Sequence, residues 1–421
     1  MKYLLYILSV LITITTYAQQ HTKRVLFLGN SYTYTNNLPQ MLADAALSAG
    51  DTVVHDSNAP GGYTFEGHST NATSLSKIAA GTWNYVVLQE QSQLPSFPDG
   101  QVQNDVYPYA ALLNDSILAA NPCTETVFFM TWGRKNGDAS NCANWPPVCS
   151  YAGMDSLLSL RYRIMAQNND AILSPVGAVW NYLRTISPQL ELYNPDESHP
   201  SVAGTYAAAC SFYAALFRSN PENISFNSSL SSLDAATIRA AAKLVVYDSL
   251  LNWHIGEYDP QAQFTYLNSG SNEITFSNTS QHAADYVWDF GDGNTDSAEN
   301  PVHTYAATGN YTVQLIAQQC GLSDTLTQTI SVSATGIYQN GNVVINLFPN
   351  PVTRQLTLET NPQTATAYTL LNLAGIEIQH GVINSSKQQI PVAQLPEGIY
   401  LLQLYNRDKP AGVYKFVKAA E

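Results

Sequence analysis

Residues 24–33, Arg24-Val25-Leu26-Phe27-Leu28-Gly29-Asn30-Ser31-Tyr32-Thr33, carry the reading on which the rest of the chain turns. Val25 to Leu28 read as a short apolar strand that runs straight into Gly29-Asn30-Ser31-Tyr32-Thr33. Further strand candidates follow at 51–57 (DTVVHDS), 85–91 (YVVLQEQ), 125–132 (ETVFFMTW) and 170–177 (DAILSPVG). Between and after them lie helix-forming stretches at 38–50 (LPQMLADAALSAG, with Gly50 as its stop), 154–169 and 202–219. Strands alternating with helices from His21 to about Tyr258 predict an α/β domain with a mostly parallel sheet.

Beyond Tyr258 the texture changes. Residues 262–332 are rich in Thr, Ser, Asn and Gly, with short period-2 runs such as EITFSN (273–278) and YTVQLIA (311–317), the pattern of a β-sandwich. Residues 336–342 read as a linker, and QLTLET (355–360) and IYLLQLY (399–405) belong to a second small β domain. At the other end, Lys2, an apolar run from Tyr3 to about Ile14 and the small-x-small ending Thr16-Tyr17-Ala18 read as a signal peptide. That run is shorter than the ~18 to 20 residues needed to span a membrane, so the mature protein is expected to have no transmembrane segment.

A formal charge of -14 with only 18 Lys and Arg argues against a nucleic acid or an anionic membrane surface as partner. The five cysteines follow no zinc-site spacing, and no metal or other cofactor is expected. In an exported protein Cys142 and Cys149 form the natural pair, although spacing alone does not settle connectivity, and the odd count leaves at least one thiol unpaired. Cys210, inside an apolar helical run, reads as a small buried hydrophobe.

Chemistry is suggested at two places. Ser31 follows the first strand, where α/β sheets place their ligands, although most serines in such positions are turn or capping residues. Far downstream, Asp196-Glu197-Ser198-His199-Pro200 puts a carboxylate and an imidazole in one short loop. A serine hydroxyl becomes an effective nucleophile when an imidazole takes its proton and a carboxylate fixes the imidazole tautomer. An isolated D-x-x-H is more often a cap and a solvated histidine, so only the combination carries weight.

That combination resembles the SGNH/GDSL hydrolases over about residues 22–255. GNSYT (29–33) is similar to that family's first block, with Asn30 where the name-giving motif often has Asp, and DESHPS (196–201) to its last. The resemblance implies Ser31 as nucleophile, His199 as general base and Asp196 as its orienting partner. It further implies an oxyanion hole built from the Ser31 N–H, a glycine of the second block and an amide of the third. In Asn58-Ala59-Pro60-Gly61-Gly62-Tyr63-Thr64 the glycine is Gly62, with Gly61 as second choice. The third block departs from the family: Gln89-Glu90-Gln91-Ser92 stands where a Gly-x-Asn-Asp motif is usual, leaving Gln91, or alternatively Gln89, as the donor.

Tyr286-Val287-Trp288-Asp289-Phe290-Gly291-Asp292-Gly293 with Gly309-Asn310-Tyr311-Thr312-Val313 resembles a PKD domain. Leu347-Phe348-Pro349-Asn350-Pro351 through Lys418 resembles the C-terminal sorting domain of type IX secretion. Together these resemblances imply a three-layer α/β/α, flavodoxin-like SGNH domain followed by two small all-β, Ig-like sandwich domains. The expected organisation is a signal peptide at 1–18, the hydrolase domain at 19–258, PKD at 262–334, a linker at 335–342 and the sorting domain at 343–421. The implied protein is a secreted or outer-membrane surface-attached serine esterase acting on ester bonds, with acylated glycans as substrate and the type IX machinery as partner. The rival from another class is a glycan-binding or adhesion protein on a degenerate SGNH fold.

Overall fold

The computed structural model describes residues 21–270, 272–332, 345–372, 376–407 and 409–420. The expected signal peptide and linker lie outside the described residues. The chain divides after Tyr258 into two compact units.

In the first unit β1 (Thr22–Leu28), β2 (Thr52–Asn58), β3 (Tyr85–Leu88), β4 (Glu125–Phe129) and β5 (Ile172–Ser174) form one parallel sheet in the order β2-β1-β3-β4-β5. Val25 to Leu28 are fully buried, as their unbroken apolar run requires of a strand covered on both faces. The helices are α1 (Ser31–Tyr34), α2 (Leu38–Ser48), α3 (Phe65–Thr70), α4 (Ala72–Ala79), α5 (Asp99–Asp105), α6 (Tyr107–Ala120), α7 (Tyr151–Asn168), α8 (Val176–Ile186), α9 (Val202–Phe217) and α10 (Ser232–Val245). Helices α2, α8, α9 and α10 pack on one another as one layer, and α3 to α7 as the other. Every residue of α9 from Ala203 to Leu216 is buried, which is why its sequence is apolar all round rather than striped. Cys210 lies there as a buried free thiol, and Cys142 is bonded to Cys149.

The strand order positions the site. Chain progression reverses between β1 and β3, because β2 lies on one side of β1 while β3, β4 and β5 extend on the other. Open parallel sheets form a crevice at the carboxyl ends of the two strands flanking such a switch point. Ser31 follows β1 and Gln89 to Gln91 follow β3, so two motifs about sixty residues apart meet at that crevice.

The second unit is all β. One pair of sheets joins Val302–Thr304, Glu273–Asn278 and Phe264–Gly270, and Leu322–Val332, Gly309–Gln319, Asp285–Asp289 and Thr295–Asp296, around Phe276, Trp288 and Leu315. The other pair joins Ile345–Phe348, Gln355–Thr360 and Lys387–Pro391, and Glu377–Val382, Ala367–Leu371, Gly398–Asn406 and Lys409–Lys418, around Leu358, Leu370, Leu402 and Phe416. Among the described residues no helix is long and apolar enough to cross a membrane.

Candidate active site

At the end of β1 the chain turns sharply. A Cβ on Gly29 would stand 2.4 Å from Thr33 Oγ1 and 2.7 Å from Gln89 Oε1, so a larger residue there would push the two strand ends apart. Asn30 caps α1, its Oδ1 accepting the Tyr32 N–H at 3.1 Å, and leaves Ser31 as the first helical residue. Ser31 Oγ lies 2.8 Å from His199 Nε2, and His199 Nδ1 is hydrogen-bonded to Asp196 Oδ2. The other carboxylate oxygen, Asp196 Oδ1, accepts the backbone N–H groups of Ser198 and His199 at 3.0 and 2.9 Å. Partial burial pushes the Asp196 carboxyl up, but the His199 side chain and these two N–H groups outweigh it and hold the group below the usual carboxylate range. An ionised Asp196 keeps the proton on Nδ1, so the Nε2 lone pair faces the serine hydroxyl.

Side chains distant in sequence hold this arrangement. The buried Tyr32 ring stacks on Trp132 at 4.7 Å, Trp132 stacks on Trp180 at 3.8 Å, and Tyr32 meets His199 edge-on at 5.4 Å. Tyr32 Oη shares a 2.7 Å hydrogen bond with Ser198 Oγ, and Trp132 Nε1 donates to the Ser198 carbonyl at 3.1 Å. Asn36 Nδ2 ties the segment after α1 to the same loop, donating to the Pro200 carbonyl at 3.0 Å and to Thr205 Oγ1 at 2.9 Å. Under the serine loop, buried His68 bonds the Gly29 carbonyl through Nε2 at 2.9 Å and Ser74 Oγ through Nδ1 at 2.8 Å. Burial lowers its pKa, outweighing the opposing effect of the Gly29 carbonyl and favouring the neutral ring that such a bridge needs.

The second block forms a tight turn. Tyr63 N–H donates to the Pro60 carbonyl at 3.2 Å, and Gly62 takes φ +70°, the left-handed value that the third residue of a type II turn requires. Among the described residues neither the Ser31 nor the Gly62 N–H has a protein acceptor, which leaves both able to bind an anion.

Gln89 and Gln91 differ in how their amides are engaged. Gln89 is fully buried; its Oε1 accepts Asn30 N–H at 2.9 Å and Thr33 Oγ1 at 3.0 Å, and its Nε2 donates to the Glu90 carbonyl. Gln91 is half-buried; its Oε1 accepts the N–H groups of Gln93 and Leu94, and its Nε2 donates one hydrogen to Gln93 Oε1 at 3.1 Å. One Gln91 N–H therefore stays uncommitted, whereas Gln89 fastens the serine loop to β3.

Of the residues that sequence reasoning singled out, Ser31, His199 and Asp196 are hydrogen-bonded in series and Gln89 is bonded to the serine loop, while Gly62, with Gly61 beside it, lies on the loop after β2 and Gln91 on the loop after β3. That reasoning missed Glu90, His68, Asn36, Tyr32, Trp132 and Trp180, which act through contacts that no local pattern announces. A cavity of about 440 Å³ lined by Met130, Thr131, Asp155, Arg163 and Asn181 is elsewhere, with none of Ser31, Asp196 and His199 in its wall.

Two segments match known families. Residues 258–334 match the PKD domain. Residues 346–419 match the secretion system C-terminal sorting domain. This tail is a sorting domain. The protein is therefore secreted or held at the cell surface. A microbial collagenase from Vibrio alginolyticus is 37% identical over 87 residues, 18% of this chain and 10% of that protein, so the chain spans about a tenth of that relative's length. The chain is also similar to solved structures, among them these two. A DUF4886 family protein from Bacteroides uniformis is 20% identical over 55% of this chain and 95% of its own, with a TM-score of 0.46. A putative SGNH hydrolase from Slackia heliotrinireducens is 26% identical over 46% of this chain and 99% of its own, with a TM-score of 0.39.

Proposed function

We propose that the α/β domain is a serine esterase that cleaves O-acyl esters, with short acyl groups on a glycan as the substrate class. The observation that carries this reading is the hydrogen-bonded series from Ser31 Oγ through His199 to Asp196. In this reading Ser31 Oγ attacks the ester carbonyl as His199 Nε2 takes its proton. The new oxyanion accepts hydrogen bonds from the Ser31 and Gly62 N–H groups, with the remaining Gln91 N–H as third donor. His199 then protonates the departing alcohol, leaving an acyl group on Ser31. A water deprotonated by His199 attacks that acyl-enzyme, and the acid leaves as the serine is reprotonated.

Export and the PKD module favour a polymeric extracellular substrate. Tyr34 adds to this: three residues after Ser31, it shares the nucleophile's side of α1 and is 55% exposed. An exposed aromatic ring beside the nucleophile offers a flat surface on which a sugar ring can stack. The test is release of p-nitrophenol from its acetate ester by the purified protein beside Ser31→Ala and His199→Ala. Activity in the parent that falls at least about 10³-fold in both variants is expected. Equal rates in all three would overturn the esterase reading in favour of a glycan-binding scaffold.

A further inference from the structure

Glu90 follows the apolar strand β3, at the centre of the sheet, and is 0% exposed. A buried carboxyl is costly unless it is well hydrogen-bonded, and an apolar or amide side chain would ordinarily be cheaper in such a place. The charged or ionisable neighbours that bear on it are Glu66, a like charge, and the Tyr162 hydroxyl, which accepts the Glu90 N–H at 3.3 Å. Instead of a cation, backbone N–H groups meet it: Phe65 at 3.1 and 3.0 Å to its two oxygens, and Gln91 at 2.5 Å to Oε1.

These two N–H groups belong to different parts of the site. Phe65 begins α3 immediately after the turn that presents Gly62, whereas Gln91 is the side chain assigned as third oxyanion donor. The Glu90 carbonyl lies 3.4 Å from Asn30 Nδ2, and Asn30 Nδ2 also donates to the Tyr63 carbonyl at 3.0 Å. The glycine turn is thus fastened on both sides of Thr64, at Tyr63 by Asn30 and at Phe65 by Glu90. Rotation of the turn by even a few tenths of an ångström would move the Gly62 N–H relative to Ser31, and an oxyanion donor is effective only when it is already aimed.

We propose that Glu90 is a positioning residue for the oxyanion hole, its carboxyl group clamping the Gly62 turn and the Gln91 backbone to the end of the central strand. It touches no substrate. The proposal rests on the esterase reading, and it predicts a loss of turnover rather than of substrate binding, because the oxyanion exists only in the transition state.

The experiment measures kcat, KM and Tm on p-nitrophenyl acetate for the full-length protein, Ser31→Ala, and Glu90→Met, Glu90→Gln and Glu90→Asp. Methionine keeps the volume and removes the acceptors, glutamine keeps one carbonyl oxygen able to accept both N–H groups, and aspartate retracts the carboxylate by one methylene. Expected for Glu90→Met is a kcat at least about 10-fold lower with KM within about twofold, and for Glu90→Gln a kcat within about threefold of the parent. Should Glu90→Met fail to fold, Glu90→Asp decides, with a similar fall in kcat expected. Parent-like kcat in folded Glu90→Met or Glu90→Asp, or a glutamine variant as impaired as the methionine one, would overturn the clamp alone. Parent and Ser31→Ala hydrolysing at equal rates would instead overturn the esterase reading and the clamp with it.

Discussion

The Asn30 carboxamide donates to the Tyr63 carbonyl at 3.0 Å while its oxygen accepts the Tyr32 N–H, so one side chain joins the serine loop to the glycine turn. An aspartate in its place would still cap α1 but could not donate while ionised, and its carboxylate would face the carbonyls of Tyr63 and Glu90. Asn30→Asp should therefore lower kcat by about 10-fold, the scale expected when the turn that aims the Gly62 N–H is loosened, with the helix cap preserved. Steady-state kinetics beside a thermal melt checks this; parent-like kcat would show that the turn is held without Asn30.

The two glutamines of the third block should separate cleanly. Gln89→Ala orphans the Asn30 N–H and the Thr33 hydroxyl in a fully buried place, so it should destabilise the fold by about 1–3 kcal/mol. Gln91→Ala removes an amide that is half-exposed, so its main effect should be on kcat, lowered about 10²–10³-fold if this amide is the third donor. Denaturant melts and kcat measured on both variants test the assignment. A Gln91→Ala enzyme with undiminished turnover leaves the hole to Ser31 and Gly62 alone.

Burial pushes the Glu90 carboxyl up to about 8, against the opposing N–H bonds of Gln91 and Phe65 and with a further rise from Glu66. The folded state then holds this proton more tightly than the unfolded chain does. Its contribution to stability is full below the ordinary value near 4.5 and is lost as pH rises through about 8. His68 and Asp196, whose values are lowered, act with the opposite sign and weaken the fold as pH falls. Subtracting the Tm of Glu90→Gln from that of the parent isolates Glu90: the difference should shift against the parent between pH 6 and pH 9. A difference independent of pH would place the Glu90 titration elsewhere.

Tyr34 tests the substrate class separately from the chemistry. Tyr34→Ala should raise KM for an acetylated oligosaccharide several-fold, on the order of 1 kcal/mol of lost stacking, while leaving p-nitrophenyl acetate hydrolysis within about twofold. Equal effects on both substrates would argue against a sugar platform at this ring.

Local pattern alone determined much of this protein. The short apolar runs ending at Leu28 and Leu88, alternating with helical stretches, announced a mostly parallel sheet, and the change of texture after Tyr258 announced β modules, because the period of each element writes itself into neighbouring residues. Ser31, Asp196 and His199 could be singled out only in combination, by their resemblance to a family pattern, because a serine after a strand and a D-x-x-H loop are each ordinary alone; their proposed roles rest on the hydrogen bonds that the fold makes between them. The tertiary structure decided what those residues rest on. Glu90 beneath the Phe65 N–H, His68 beneath the Gly29 carbonyl, and Tyr32 stacked on Trp132 above the Ser198 hydroxyl all join residues tens of positions apart. Their side chains are ordinary in sequence and acquire roles only when the β1/β3 switch point and the loops around it bring them into contact. The choice between Gln89 and Gln91 belongs to the same class, because an amide's role depends on which of its hydrogen bonds the fold has already taken.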